Sequence, residues 1–120
     1  MTKRFISCVF FALCFFVSLA NNANAFVEKN FAVVQILDKA AGKARTVTLP
    51  VGQKVEFEKL YLLTQKCLQT DPFMAENFYA FVEITKSDSA KIFSNWMNRN
   101  APGENPVQNP DYDVWLLRCE

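Results

Sequence analysis

Residues 78–85 read FYAFVEIT and form the most β-prone run of the chain. Aromatic and β-branched side chains fill most of its positions, as is typical of strands. Successive side chains of a strand point to opposite faces, so the even positions share one face. That face is continuous and apolar, and consists of Phe78, Ala80, Val82 and Ile84. The run therefore predicts a strand with one buried face, and its odd positions include Glu83 and Thr85.

The turn-forming residues 86–89 separate this strand from a second apolar run at residues 90–97, which predicts a hairpin. An upstream hairpin is predicted from residues 31–37 (FAVVQIL) and 44–49 (ARTVTL), which flank a polar turn containing Gly42.

Further strands are predicted between the two hairpins and after the second one. Residues 26–30 are expected to be a mobile or edge segment. About seven short antiparallel strands, with turns roughly every ten residues, indicate an all-β fold. The expected architecture is a small sandwich or a partly open barrel. The additional predicted strands are residues 55–57, 60–65 and 112–117.

The first 25 residues have the organisation of a secretory signal peptide. A positively charged start precedes an uncharged apolar run at residues 5–20, and Ala23 and Ala25 are the small residues that a signal peptidase reads. We therefore expect cleavage between Ala25 and Phe26 and a periplasmic location, with secretion beyond the cell left open. An uncleaved membrane anchor fits less well, because the run is shorter than the ~20 residues that a spanning helix needs.

Residues 26–120 are then expected to form a single all-β domain. Loss of Lys3 and Arg4 changes the formal net charge from +1 to −1. Charges of both signs are interspersed along the domain, which lacks the basic patch of a nucleic-acid-binding protein and the polybasic run of a membrane-surface segment.

Cys67 and Cys119 are the two cysteines of this domain. An even pair in a small exported chain predicts one disulfide. The alternatives are two free thiols or a redox-active pair, although the spacing is far from the C-x-x-C of redox motifs.

The sequence contains no histidine, which excludes the usual general base, the serine triad and the Cys–His dyad. With two cysteines and no histidine, neither a metal site nor a cofactor is predicted. A carboxylate hydrolase is the remaining catalytic option. Asp111 and Asp113 would lie on one face of a strand roughly 7 Å apart, with Glu83 as a third group. Turn and surface roles for these residues are the stronger interpretation.

Residues 92–115 hold both tryptophans and three of the five prolines. Trp96, Tyr112 and Trp115 bracket an Asn- and Pro-rich loop, and flat aromatic faces near amide groups suit an extended peptide or a sugar ring. Alternatively, the tryptophans belong to the core. Trp115 alternates with Val114 and Leu116, so one of the two sets must face inward.

Several of these stretches resemble an uncharacterised family of bacterial exported proteins, domain of unknown function 2155. The matching strings include IFSNWM at 92–97, APGENPV at 101–107 and YDVWLL at 112–117. The resemblance extends over residues 34–120 and implies a signal peptide, a Cys67–Cys119 pair and a periplasmic location, but no activity. The residues that match its motif are Trp96, Met97, Pro102, Gly103, Asn105, Pro110, Tyr112, Asp113, Val114 and Trp115.

The expected function is a non-catalytic, periplasmic protein-interaction module of the cell envelope. Its expected binding residues are Trp96, Asn105, Tyr112, Asp113 and Trp115. A glycan- or peptidoglycan-binding module is the alternative, and a carboxylate-dependent hydrolase is a weaker one. The expected partner is an envelope protein, with no nucleic acid and no membrane span in the mature chain.

Overall fold

The computed structural model describes residues 26–120, which contain eight strands and no helix. The expected signal peptide, its boundary residue Ala25 and the rest of residues 1–25 lie outside the described residues. The strands are β1 (Phe26–Glu28), β2 (Phe31–Asp38), β3 (Lys43–Pro50), β4 (Lys54–Phe57), β5 (Leu60–Thr70), β6 (Phe78–Lys86), β7 (Lys91–Asn98) and β8 (Tyr112–Cys119).

The strands form two antiparallel sheets, and the all-β prediction is confirmed. The larger sheet has the order β1-β5-β6-β7, and β4 also pairs with β5. The first four residues of β5 pair with β4 and its last three pair with β1, so the two short strands share one edge of β5. The smaller sheet has the order β3-β2-β8. Both predicted hairpins, β2–β3 and β6–β7, are present.

One hydrophobic core lies between the two sheets, as expected for a small sandwich or a partly open barrel. The predicted inner face of β6 is buried at all four positions, from Phe78 to Ile84. It packs with apolar residues of the facing sheet such as Ile36 and Val114. Burying a side chain of this size stabilises the fold by about 1.5–3 kcal/mol.

A disulfide joins the two sheets across this core. Cys67 lies on β5 and Cys119 lies on β8, and their Cα atoms are 5.7 Å apart. The predicted Cys67–Cys119 bond is therefore present. Because the two residues are 52 positions apart, the bond closes a long loop of the unfolded chain.

The structure has one more strand than the approximately seven expected from the sequence. Residues 26–28 form β1 because β5 continues past its predicted end at residue 65 to Thr70. The extended part of β5 pairs with β6 on one side and leaves its other side available for β1. The segment expected to be mobile or an edge is thus an edge strand.

The two ends of the sandwich differ in chemistry. We call the end where β5 and β8 finish the apolar end. It includes β1 and the β5–β6 loop at residues 71–77. We call the other end the polar end. It includes the turns β2–β3, β4–β5 and β6–β7 and the first residue of β8, Tyr112. Residues 99–111 run from the apolar end back to the polar end and bury Val107 in the core.

Candidate binding surfaces

Trp96 lies on the outer face of the larger sheet, with 37% of its surface exposed. Its register partner on β6 is Phe81. The two rings meet edge to face, with centroids 5.4 Å apart and an interplanar angle of 83°. This is a favoured geometry for aromatic pairs. Phe81 therefore holds the indole in a fixed position while part of the indole surface remains open to solvent.

The surface beside Trp96 is a shallow apolar depression of about 190 Å³. Phe26 of β1 meets Tyr79 of β6 edge to face, with ring centroids 5.6 Å apart. These two rings line the depression with Leu68 and Trp96. We call Phe26, Leu68, Tyr79, Phe81 and Trp96 the aromatic face. It spans the four strands from β1 to β7.

At the outer edge of β7, two asparagine side chains form hydrogen bonds with the backbone of Trp96. The backbone N–H of Trp96 donates to Asn95 Oδ1 at 2.7 Å, and its carbonyl accepts from Asn105 Nδ2 at 3.1 Å. An edge strand with unpaired backbone groups is a template for adding another strand. The N–H and the carbonyl of Trp96 are both hydrogen-bonded to these side chains. At this point of the edge, the Trp96 indole is therefore available to a partner, whereas the backbone is not.

Trp115 is half-buried on the outer face of the smaller sheet, opposite Gln35. Its neighbours Val114 and Leu116 face the core, which settles which set points inward. Trp115 lies beside a groove of about 290 Å³ that is also lined by Pro102, Pro106, Val107, Asp113 and Val114. We call this groove the Trp115 groove.

Asp113 anchors the end of the 99–111 loop. The Lys39 ammonium lies 3.6 Å from Asp113 Oδ1 and donates to the carbonyl of Asn109 at 2.9 Å. The ion pair is partly exposed and so contributes little to stability on its own. Its position does fix the loop beside the Trp115 groove.

Tyr112 has a buried ring, and its hydroxyl donates to Glu58 Oε1 at 3.3 Å. Burial, followed by the negative charge of Glu58, raises the pKa of the Tyr112 hydroxyl above its ordinary value of 10.0. Tyr112 lines a cleft of about 520 Å³ at the polar end. We call this the polar cleft, and its charged lining residues are Asp38, Glu58, Lys59, Lys86 and Asp111.

The five predicted binding residues are thus distributed over three surfaces. Trp96 belongs to the aromatic face, Trp115 and Asp113 to their groove, and Tyr112 to the polar cleft. Asn105 lies between the first two, since it bonds to the Trp96 carbonyl and also lines a small cavity beside Trp115. Trp96 and Trp115 project from the outer faces of different sheets.

The aromatic face was missed as a unit by the sequence reasoning, because it combines residues from strands that are distant in sequence. A partial signal was available in the run at 78–85. Its even positions fill the core, so its odd positions point outward. Two of these odd positions, Tyr79 and Phe81, are aromatic and therefore lie on the outer face. Phe26 had no such signal, because its position depends on the pairing of β1 with the extended end of β5.

Each of the three candidate catalytic carboxylates lies beside a lysine. Asp111 pairs with Lys86 at 3.6 Å in the polar cleft. Glu83 pairs with Lys91 at 3.6 Å and accepts a hydrogen bond from Gln65 on the outer face of the larger sheet. Asp113 lies in the Trp115 groove. Within residues 26–120, no group of three or more acidic, histidine or cysteine side chains is placed to hold a metal ion.

Among residues 26–120 there is no helix of the length and apolarity needed to cross a membrane. No curated protein and no solved structure matches the chain. A family model does match it, over residues 32–119, and therefore covers both sheets apart from β1 and the first residue of β2. Its description is "uncharacterized protein conserved in bacteria" (DUF2155). The chain belongs to this family of bacterial proteins.

Proposed function

We propose that the protein is a non-catalytic protein-interaction module of the bacterial cell envelope and that the aromatic face is its contact surface. The observation that carries the proposal is the partly exposed Trp96 indole, held by Phe81 beside an apolar depression. Trp and Tyr are the residues most enriched among the energetic centres of protein interfaces. A rigid aromatic cluster also loses little conformational entropy on binding.

Charged pairs border the aromatic face. Lys66 pairs with Glu28 at 3.4 Å near β1, and Lys91 pairs with Glu83 farther along the sheet. An apolar centre with a polar border is the usual arrangement of a protein interface, because the border excludes water from the centre. This arrangement favours a partner with apolar side chains at the centre of its contact surface.

The hydrogen-bonded edge of β7 disfavours one mode of binding, in which a strand of the partner pairs with β7. A partner that added a strand beside Trp96 would have to displace the side-chain hydrogen bonds of Asn95 and Asn105. Strand addition draws its affinity from free main-chain groups. We therefore expect the partner to be recognised through side-chain packing on the face of the sheet.

The test is capture of partners from the envelope by crosslinking to the tagged protein in cells, with wild type compared with Trp96→Ala. We expect a protein partner for wild type and at least about a tenfold loss with Trp96→Ala, as for an interface hot spot. Thr48→Ala, an exposed substitution on the smaller sheet, is the matched control and should capture normally. Equal capture by Trp96→Ala, with an unchanged melting temperature, would contradict the assignment.

A glycan-binding module is the second candidate, and the exposed Trp96 ring is the observation that favours it. Sugar rings stack on flat aromatic faces of this kind. Co-sedimentation with purified peptidoglycan distinguishes this candidate. Binding by wild type that is lost in Trp96→Ala, with no protein captured in cells, would favour the glycan.

The periplasmic location is part of the proposal. It rests on the signal-peptide pattern of residues 1–25 and on the disulfide, a bond typical of oxidising compartments. Amino-terminal sequencing of the exported protein should give Phe26 as its first residue. Recovery of an intact amino terminus in the cytoplasm would contradict both cleavage and export.

A further inference from the structure

The apolar end displays side chains that sandwich proteins normally bury. Phe73 and Met74, in the β5–β6 loop, are 96% and 62% exposed. Phe26 and Val27 of β1 are also exposed, and they pair with the last two residues of β5, directly before that loop. Single exposed apolar residues are common, but a group concentrated at one place marks an interaction site.

Local hydrogen bonds hold Phe73 at the tip of the loop. Asp71 accepts the Phe73 N–H through its carboxylate at 2.9 Å and the Met74 N–H through its carbonyl at 2.9 Å. Pro72 occupies the second position of this turn, which suits its fixed φ. The turn therefore directs two consecutive apolar side chains away from the sandwich.

The base of the same loop is also fixed. The Thr70 hydroxyl bonds to the carbonyl of Ala75 and the N–H of Asn77, both at 3.0 Å. Arg99 donates to the Glu76 carbonyl at 3.2 Å, which ties the loop to the segment after β7. Phe73 is thus presented by an ordered loop.

Most charges at the apolar end are arranged in pairs. Lys66 pairs with Glu28, Arg99 pairs with Glu76 at 3.3 Å, and Arg118 pairs with Glu120 at 2.7 Å. These pairs leave no local excess of either sign. Such a surface has no electrostatic preference for a polyanion or a polycation, and it matches the zwitterionic headgroup region of a phospholipid bilayer.

The apolar end is also where the expected signal peptide joins the described residues. Phe26 is where residues 1–25 join the sandwich, and those residues include the apolar run expected to act as a signal peptide. During export, that segment would place Phe26 at the bilayer surface. The exposed side chains of the β5–β6 loop lie at the same end.

We propose that the apolar end is a membrane-docking surface whose Phe73 and Met74 side chains insert into the interfacial region of a phospholipid bilayer, with Phe26 and Val27 beside them. Apolar side chains at such surfaces enter about 5–10 Å, to the boundary between headgroups and acyl chains. The polar cleft, at the opposite end, then faces away from the bilayer. The proposal goes beyond protein binding, since Phe73 and Met74 are not part of the aromatic face.

The test is flotation of the exported protein with two kinds of vesicle, one of pure phosphatidylcholine and one of phosphatidylethanolamine with phosphatidylglycerol. We expect binding to both, with little change at about 0.5 M salt, where exposed charges are screened. Phe73→Ser with Met74→Ser should reduce binding about tenfold or more, because two apolar side chains no longer leave water. Both residues are exposed, so the melting temperature should not fall.

Ala90→Ser, an exposed substitution in the β6–β7 turn at the polar end, is the control and should bind vesicles normally. Failure of wild type to float with either vesicle would overturn the proposal. Binding only to the anionic vesicles, lost in salt, would do the same, since it would be electrostatic. If the protein formed a dimer without lipid and the double substitution abolished it, Phe73 and Met74 would contact a second copy of the chain, and the membrane proposal would be wrong. Partner capture through Trp96 is measured separately, so the two proposals can fail independently.

Discussion

At the scale of single residues, Tyr112 shows how one side chain links the core to a surface cleft. Its ring packs in the core while its hydroxyl reaches Glu58, which lies in the tight turn between β4 and β5. Glu58 has φ +53°, in the left-handed region that non-glycine residues adopt at a cost of about 1 kcal/mol. The turn brings its carboxylate to the Tyr112 hydroxyl, and this contact connects the two sheets at the polar end.

Tyr112→Phe should reveal this contact through the pH dependence of stability. The folded-state pKa of Tyr112 is raised above 10.0, so the folded protein holds the hydroxyl proton more tightly than the unfolded chain. The stabilisation is therefore complete below pH 10 and is lost as the pH rises through the folded-state value. In urea unfolding between pH 8 and pH 11, the stability difference between wild type and Tyr112→Phe should shrink above pH 10. A constant difference would contradict the assignment.

At the scale of elements, the 99–111 segment both packs against the sandwich and contributes residues to its surface. It returns the chain from the end of β7 to the start of β8, so these two strands run in the same direction. Such connections cannot be tight turns. The Asn105 side chain donates a hydrogen bond to the Trp96 carbonyl, and Val107 packs in the core. The Asn109 carbonyl accepts a hydrogen bond from Lys39. The segment is therefore fixed at three positions from its middle towards its end.

Val107→Ala should lower the free energy of unfolding by about 1–2 kcal/mol, because it removes buried methyl groups and leaves a small cavity. Gln108→Ala, at the exposed neighbouring position, should change it by less than about 0.5 kcal/mol. Urea unfolding measures both. Equal effects of the two substitutions would mean that the segment is not anchored through Val107.

The elements also show which features the sequence could predict. Alternation identified the buried face of β6, because one strand carries that information within a few residues. It left the orientation of β8 open, since Trp115 and its two neighbours are all apolar. The candidate residues were grouped by their proximity in sequence, but the segment between them crosses the length of the sandwich and distributes them over three surfaces. The aromatic face depends on pairing between strands, which no local pattern shows.

At the scale of the whole molecule, the disulfide and the two unlike ends define the organisation. Cys67–Cys119 joins the sheets near the apolar end, and the Tyr112–Glu58 contact joins them at the polar end. The bond therefore helps to support the end that displays Phe73 and Met74. The aromatic face lies on the flank of the larger sheet, so the surface proposed for protein binding shares only Phe26 with the surface proposed for membrane docking.

Cys67→Ser or Cys119→Ser should each lower the free energy of unfolding by about 2–5 kcal/mol, because the unfolded chain regains the freedom of a long loop. Thermal or urea unfolding of the oxidised wild type and the two variants gives the values. The two variants should behave alike, since each removes the same bond. Wild-type stability in either variant would contradict a stabilising role for the bond.

Site-specific photocrosslinking in cells tests whether the aromatic face is the contact surface for an envelope protein. A photoreactive amino acid replaces Ser94, an exposed residue two positions before Trp96 on the same face of β7, in one variant and Thr48, on the other sheet, in the second. We expect one dominant crosslinked protein from position 94 and none from position 48. Crosslinks of equal yield from both positions, or from position 48 alone, would contradict this assignment.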